Sequence, residues 1–410
     1  MKLFARVRDP NIRVVYVTIL ALGIAYGLAI SIISVYLEGR GLNATSIARL
    51  AIFFSSGIMA LSVPAGALIR RFGAKAVLVT SLVGYAVAVG AFPLATSYAG
   101  YAALRFLDGA FSVGVWVASE TIVLALASRE DKAYFTSLYA LALALGYVIG
   151  PILSRGLVTF TALSASFVIA GVLALATTVF VAVFLRARVG REAATSEVAT
   201  TPDTSQGADS PRPTTLELLW RIKTSCLATF SYGYFQAALV VLLPLYLVQR
   251  GLTKYETILA PAFFALGMLL FANLAAKTGD RIGHLKVMSS LGAIGVCAIF
   301  SFLLVARPVP VYGIAFLAGA ALASVSPVSL ALQGLVTAER DLPRAGGLYN
   351  AAYALGMLLG PPISGELFDR VSGRAMIVQF AVLWIFFVVF TLVFRKDDPR
   401  ARQGNVSPST

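Results

Sequence analysis

Apolar residues in this chain neither alternate nor mark a single helical stripe; they dominate stretches of about 20 residues, twelve times over. The stretches fall at 12–37, 46–69, 76–95, 100–127, 134–155 and 162–185, then at 221–248, 256–276, 287–305, 309–334, 344–366 and 374–394. A hydrocarbon layer about 30 Å thick is crossed by about 20 helical residues, and in lipid a backbone must satisfy its own hydrogen bonds. Each stretch is therefore predicted to be a membrane-spanning helix. Residues 186–216 interrupt the series: they are rich in Ala, Thr, Ser, Asp, Pro and Arg and contain no aromatic, a composition that buries too little surface to fold. The predicted organisation is all-α: a six-helix bundle over 1–185, a linker over 186–216, a second six-helix bundle over 217–394 and a polar tail over 395–410.

The two sets of six are related. Tyr36, Leu37, Arg40, Gly41 and Leu42 reappear 210 residues later as Tyr246, Leu247, Arg250, Gly251 and Leu252. At the same offset, Leu138, Tyr139, Gly146, Gly150 and Pro151 reappear as Leu348, Tyr349, Gly356, Gly360 and Pro361. One offset holding across such distant segments predicts a duplicated bundle with both halves in the same topology, a geometry suited to rocking about a central site.

Composition narrows the class. The chain has 410 residues, 59% apolar and 13% charged, and its mean hydropathy is +0.85. A soluble domain is nearer half apolar and a quarter charged, so a water-soluble enzyme is excluded. A net charge of +14 raises the alternative of a nucleic-acid surface, but the placement of the charges opposes it. If the first span starts in the cytoplasm, 24 of the 33 Lys and Arg lie on that side, 8 on the other and one, Arg105, inside a span. The positive-inside rule then predicts a cytoplasmic-membrane protein with both termini cytoplasmic. The first apolar run is too long for a signal-peptide core and lacks a clear small-residue cleavage site, so it is read as the retained first span. Cys226 and Cys297 sit in apolar runs as packing residues. His284, the only histidine, is expected in a cytoplasmic loop, so no metal site, His-based triad or cofactor is predicted.

The loop after the second span reads Gly66, Ala67, Leu68, Ile69, Arg70, Arg71, Phe72, Gly73, Ala74, Lys75, and the loop after the eighth carries Lys277, Gly279, Asp280, Arg281, Gly283 and Lys286. Both resemble the G-x-L-x-D-R-x-G-R-K signature of the major facilitator superfamily, and the resemblance extends over the whole chain. It implies alternating access, a small-molecule substrate, a lipid-embedded monomer and no enzymatic activity. The first copy departs from the signature, with Arg70 in place of aspartate and Ala74 in place of a basic residue. Arg70 is expected to pair with Glu130 or Asp131, leaving Asp280 to act as a latch between the halves. Gly356, Gly360 and Pro361, with Gly347 before them, resemble the family's antiporter signature, and the fifth span keeps Gly146, Gly150 and Pro151. Close packing alone also accounts for these glycines.

The fourth span holds Arg105, Asp108 and Glu120, the three charges placed well inside a span. Ionisable groups there are costly and generally face a bundle interior. Asp108 follows Arg105 by three residues, on an adjacent helical row. At about 100° per residue, Trp116 lies about 20° and Glu120 about 60° from Arg105, so one face is expected to present guanidinium, indole and carboxylate. Arg105, Phe106, Leu107, Asp108 and Gly109 also resemble the family's R-x-x-Q-G segment, which implies proton coupling through the arginine. Arg105 snorkelling outward and Glu120 bonding locally at the rim are the structural alternatives. Tyr26 and Gln236, at matching positions in the two halves, and Asn350 and Tyr353 are further cavity-lining candidates. The function expected is proton-coupled export of a small organic or amphipathic molecule, with uptake symport as the alternative. No phosphate-binding loop of the G-x-x-x-x-G-K-[ST] type occurs, the spans offer no histidine or thiol beside a nucleophile, and no sizeable extramembrane domain of the kind a sensor or scaffold carries is evident.

Overall fold

A computed structural model of the chain describes residues 9–127, 131–186 and 213–398. The spans are Pro10–Gly39, Ala44–Phe72, Ala74–Gly90, Tyr98–Leu126, Lys132–Leu157 and Ser164–Phe184, then Lys223–Gln249, Lys254–Ile282, His284–Leu304, Pro308–Val336, Leu342–Arg370 and Gly373–Val393. Eleven of these are apolar enough over their length to cross a bilayer by composition alone. The eleventh in chain order, Leu342–Arg370, is 29 residues long but dilutes its apolar residues with five glycines, three prolines and charged ends. It completes the twelve-helix fold.

Several spans depart from uniform rods, among them the eighth, which breaks at Ile258–Leu259 into Lys254–Thr257 and Ala260–Ile282. The first span breaks at Ser31–Ile32 into Pro10–Ile30 and Ile33–Gly39. The seventh is preceded by a short helix, Thr215–Arg221, whose Thr214 hydroxyl accepts from the Glu217 N–H while the Glu217 carboxylate accepts from the Thr214 N–H, a reciprocal cap. Thr215 and Leu216, expected in the linker, are therefore already helical. The tenth span runs as Pro308–Ala318, a π-turn at Gly319–Ala323, and Val325–Val336. Pro327 has no N–H to return to the carbonyl of Ala323, and its ring crowds that carbonyl. The matching position in the fourth span is Val117, and that helix is unbroken for 29 residues.

The chain forms two units, one over Met1–Tyr36 and Leu50–Asp209, the other over Leu37–Arg49 and Ser210–Thr410. Within the second unit, the Thr45 N–H donates to Asp369 at 2.7 Å, Lys254 lies 3.5 Å from Glu38, and Arg49 pairs with Glu366, which also takes Arg370 at 2.7 Å.

Each unit is held by glycine. In the first, a methyl group at Gly57 would overlap the carbonyl oxygen of Phe106, and one at Gly109 that of Phe54, so the second and fourth spans interlock backbone to backbone. In the second unit the same overlap occurs 210 residues on, between Gly267 and Phe316 and between Gly319 and Phe264. Gly146 and Gly150 press on Gly23 and Gly27 of the first span, while Gly356 and Gly360 press on Phe230 and Tyr234 of the seventh. Pro151 touches Gly27 and Pro361 is buried in the eleventh span. Gly347 meets nothing within 4 Å, so it takes no part in this packing. Among the described residues four glycines take positive φ, and Gly41, Gly73, Gly251 and Gly283 form two pairs at the 210 offset, marking equivalent turns.

Because the obstructing atoms at Gly57 and Gly267 are backbone, Gly57→Ala and Gly267→Ala should each destabilise the protein by about 1–3 kcal/mol. Gly313→Ala, on an exposed surface with nothing within 4 Å, should leave stability unchanged or raise it. Thermal unfolding of the purified variants in detergent measures both.

Candidate functional site

The fourth span buries its charge pair. Arg105 and Asp108 are each 6% exposed; one guanidinium nitrogen donates to the Asp108 carboxylate, and the Ser112 hydroxyl donates to its other oxygen at 3.3 Å. Spacings of three and four residues place all three on one face. The guanidinium also lies 4.3 Å from the centre of the Phe54 ring. Gly109, next to Asp108, makes that stacking possible, since it lets the second span approach at Phe54.

Arg105, Asp108, Tyr26 and Tyr85 line a cleft of about 10 Å³, room for about one water molecule. The Tyr26 ring packs between those of Tyr147, 5.2 Å away, and Phe54, 6.1 Å away. The Tyr85 hydroxyl is fully buried in this lining and forms no hydrogen bond among the described residues. Tyr85, Phe54 and Ser112 were not legible as site residues: each stands in an apolar run or among small residues, with no charge to single it out. A faint signal is Gly84 before Tyr85, which seats the Phe111 ring and draws the third and fourth spans together.

Other predicted residues scatter. In the second unit the Tyr353 hydroxyl donates to Gln236 at 3.0 Å, so these two do meet. Asn350 is exposed and joins neither. Trp116 is half-buried, its carbonyl accepts from the Tyr139 hydroxyl at 3.3 Å, and its indole N–H has no partner among the described residues. Glu120 is exposed and makes no hydrogen bond or ion pair among the described residues. A shared wheel angle does not bring groups together when 15 residues, about 22 Å of helix, separate them, and the Arg105 cleft includes neither Trp116 nor Glu120.

The signature loops tie down span ends. Gly73 takes φ +85° before the third span, and Lys75 donates to the carbonyls of Ala182 and Leu185 at 2.8 and 2.5 Å, satisfying the end of the sixth span. Arg71 lies over Phe72, while Gly66 and Arg70 sit on the final turns of the second span. The expected partners of Arg70 are Glu130, which lies outside the described residues, and Asp131, with which Arg70 forms no ion pair among the described residues. In the second copy, Gly283 takes φ +106°. His284 is not in a loop: it is the first residue of the ninth span, 1% exposed, with Nε2 3.2 Å from Asp280. The polar tail is also partly built, since Arg395–Asp397 form a 3₁₀ turn and Asp398, 3% exposed, accepts from the Leu285 N–H at 2.9 Å. A carboxylate suits the positive end of a 21-residue helix.

A duplicated six-span architecture with an ion pair buried inside one span defines a polytopic membrane carrier. The sequence matches the Major Facilitator Superfamily over residues 15–314 and 225–409, and the chain belongs to that family. It is thus an integral membrane secondary transporter of small molecules, not an enzyme. It is 23% identical over 376 residues to the uncharacterized MFS-type transporter YfkF of Bacillus subtilis, covering 91% of this chain and 92% of that one. It is 20% identical over 386 residues to the uncharacterized MFS-type transporter MJ1560 of Methanocaldococcus jannaschii, covering 92% and 95%. The fold is similar to a bacterial homolog of the human lysosomal transporter Spinster in an inward-facing, occupied conformation (TM-score 0.74, 12% identity, 98% of this chain and 100% of that one). It is also similar to the human organic anion transporter MFSD10 (TETRAN) (TM-score 0.61, 17% identity, 93% and 99%).

Removing one member of a buried pair strands the other charge, at a cost of about 3–5 kcal/mol. Arg105→Ala should therefore lower thermal stability more than Arg105→Ala combined with Asp108→Asn. Strictly additive losses in this double-mutant cycle would mean that the two residues act independently.

Proposed function

We propose that the chain exports a small organic or amphipathic molecule across the cytoplasmic membrane in exchange for protons, with both termini on the cytoplasmic side. The observation that carries this reading is the unequal treatment of two carboxylates on one span. Asp108 is committed to Arg105 and Ser112, whereas Glu120 has no ion-pair partner among the described residues. A carboxylate without a fixed cation can gain and lose a proton without stranding another charge, so Glu120 is assigned the coupling proton. The Arg105–Asp108 pair is assigned to shaping the cleft beside Tyr26 and Tyr85. With Arg105 fixed, a proton on Asp108 leaves a buried cation unbalanced, which makes it the poorer carrier.

The test is purified protein in liposomes with an imposed pH gradient, screened against a pooled compound library by mass spectrometry. Gradient-dependent movement of a compound toward the proton-rich compartment is expected, and Glu120→Gln should lower the gradient-driven rate at least about tenfold while leaving gradient-independent exchange of that compound in place. Movement in the same direction as the protons would make the protein a symporter. Unchanged gradient-driven transport in both Glu120→Gln and Asp108→Asn would remove the coupling assignment.

A further inference from the structure

A cleft of about 650 Å³ opens in the second unit where the eighth span ends, the ninth begins and the twelfth ends, and Arg281, Lys286, Arg395 and Lys396 line it. All four are exposed. One carboxylate, Asp398, shares the lining; it is buried and accepts from the Leu285 N–H, which fixes the twelfth span's end against the ninth's start, and the lining carries four basic side chains to this one acid. The cleft is also amphipathic. Ile282 and Leu392, on its edge, are 54% and 52% exposed, and they project from span ends where a bilayer's hydrocarbon meets its headgroups.

We propose that this cleft binds the phosphodiester of an anionic phospholipid, the headgroup among the four cations and an acyl chain along Ile282 and Leu392. Two observations select a lipid over a soluble phosphate. The volume exceeds what a phosphate fills, and the apolar edge lies on two spans whose exposed apolar residues continue at Leu274 and Val389. Clustered Lys and Arg at a membrane surface contribute about 1 kcal/mol each toward an anionic lipid. The basic-x-glycine-x-x-basic spacing of the second signature loop thus takes on a second role: Arg281 and Lys286 meet two cations from beyond the twelfth span. The site is independent of substrate, transport direction and proton coupling.

The experiment is native mass spectrometry of the full chain released from detergent, titrated with phosphatidylglycerol or phosphatidylcholine. Wild type is expected to retain phosphatidylglycerol in preference to phosphatidylcholine. Lys286→Gln combined with Arg395→Gln should weaken retention about thirtyfold, from about 1 kcal/mol per cation, and each single variant should show a smaller loss if the pair expresses poorly. Arg307→Gln removes an exposed cation at the opposite end of the ninth span and should change nothing. Equal retention of phosphatidylglycerol by wild type and the charge-removal variants would overturn the site. Displacement of the lipid by glycerol 3-phosphate at equal concentration would overturn the lipid assignment in favour of a soluble phosphate.

Discussion

Lipid tails offer a helix as much apolar contact as a neighbouring helix does, so spans associate where their backbones come closer than lipid can follow. In this chain that closeness comes from glycines set against carbonyl oxygens. Gly57 faces Phe106 and Gly109 faces Phe54 in one unit; Gly267 faces Phe316 and Gly319 faces Phe264 in the other. The site inherits its geometry from this contact. Bringing the second span against Gly109 lays the Phe54 ring on the Arg105 guanidinium, and the seat of Phe111 on Gly84 sets Tyr85 beside Asp108. The charged pair is possible because small residues around it let aromatic rings replace water.

The second organising contact is the capping of span ends by distant chain. Lys75 closes the sixth span and Asp398 opens the ninth, so in both units the turn after a positive-φ glycine is tied to the end of that half's last span. The chemistry is inverted, a cation on carbonyls in one unit and a carboxylate on an N–H in the other. Lys223 adds a further tie: it pairs with Asp397 at 2.5 Å and stands over the rings of Trp220 and Phe394, fastening the short helix before the seventh span to the end of the twelfth.

Much of this was legible in the residues. Runs of apolar sequence give the spans because lipid permits little besides helix, and the 210-residue offset gives the repeat. Arg105 and Asp108 were legible as a pair because spacing on a helix and the cost of a lone buried charge leave few alternatives. Tyr85 was not, since a tyrosine in an apolar run looks like packing until its hydroxyl is found without a partner. Glu120 and Trp116 share an angle with Arg105 but not a height, and angle alone was what the helical wheel supplied. Asp398 was hidden because a polar tail gives no sign of where it will dock. Prolines were equally ambiguous: Pro64, Pro151, Pro244 and Pro361 all sit inside continuous helices, while Pro327 stands beside a π-turn.

That π-turn breaks a mechanical symmetry where the sequence symmetry survives. On either side of it the equivalences persist, for Gly109 and Gly319 make the same contact, and the Ser329 hydroxyl meets Tyr349 as the Ser119 hydroxyl meets Tyr139. Yet the fourth span is a single rod holding Arg105 and Glu120 at fixed separation, and the tenth is jointed at its middle. Curvature imposed by bilayer thickness or a bulky cargo costs least at that joint. The two matching spans thus differ in helical geometry at one place, and it is the unbroken one that carries the buried charge pair.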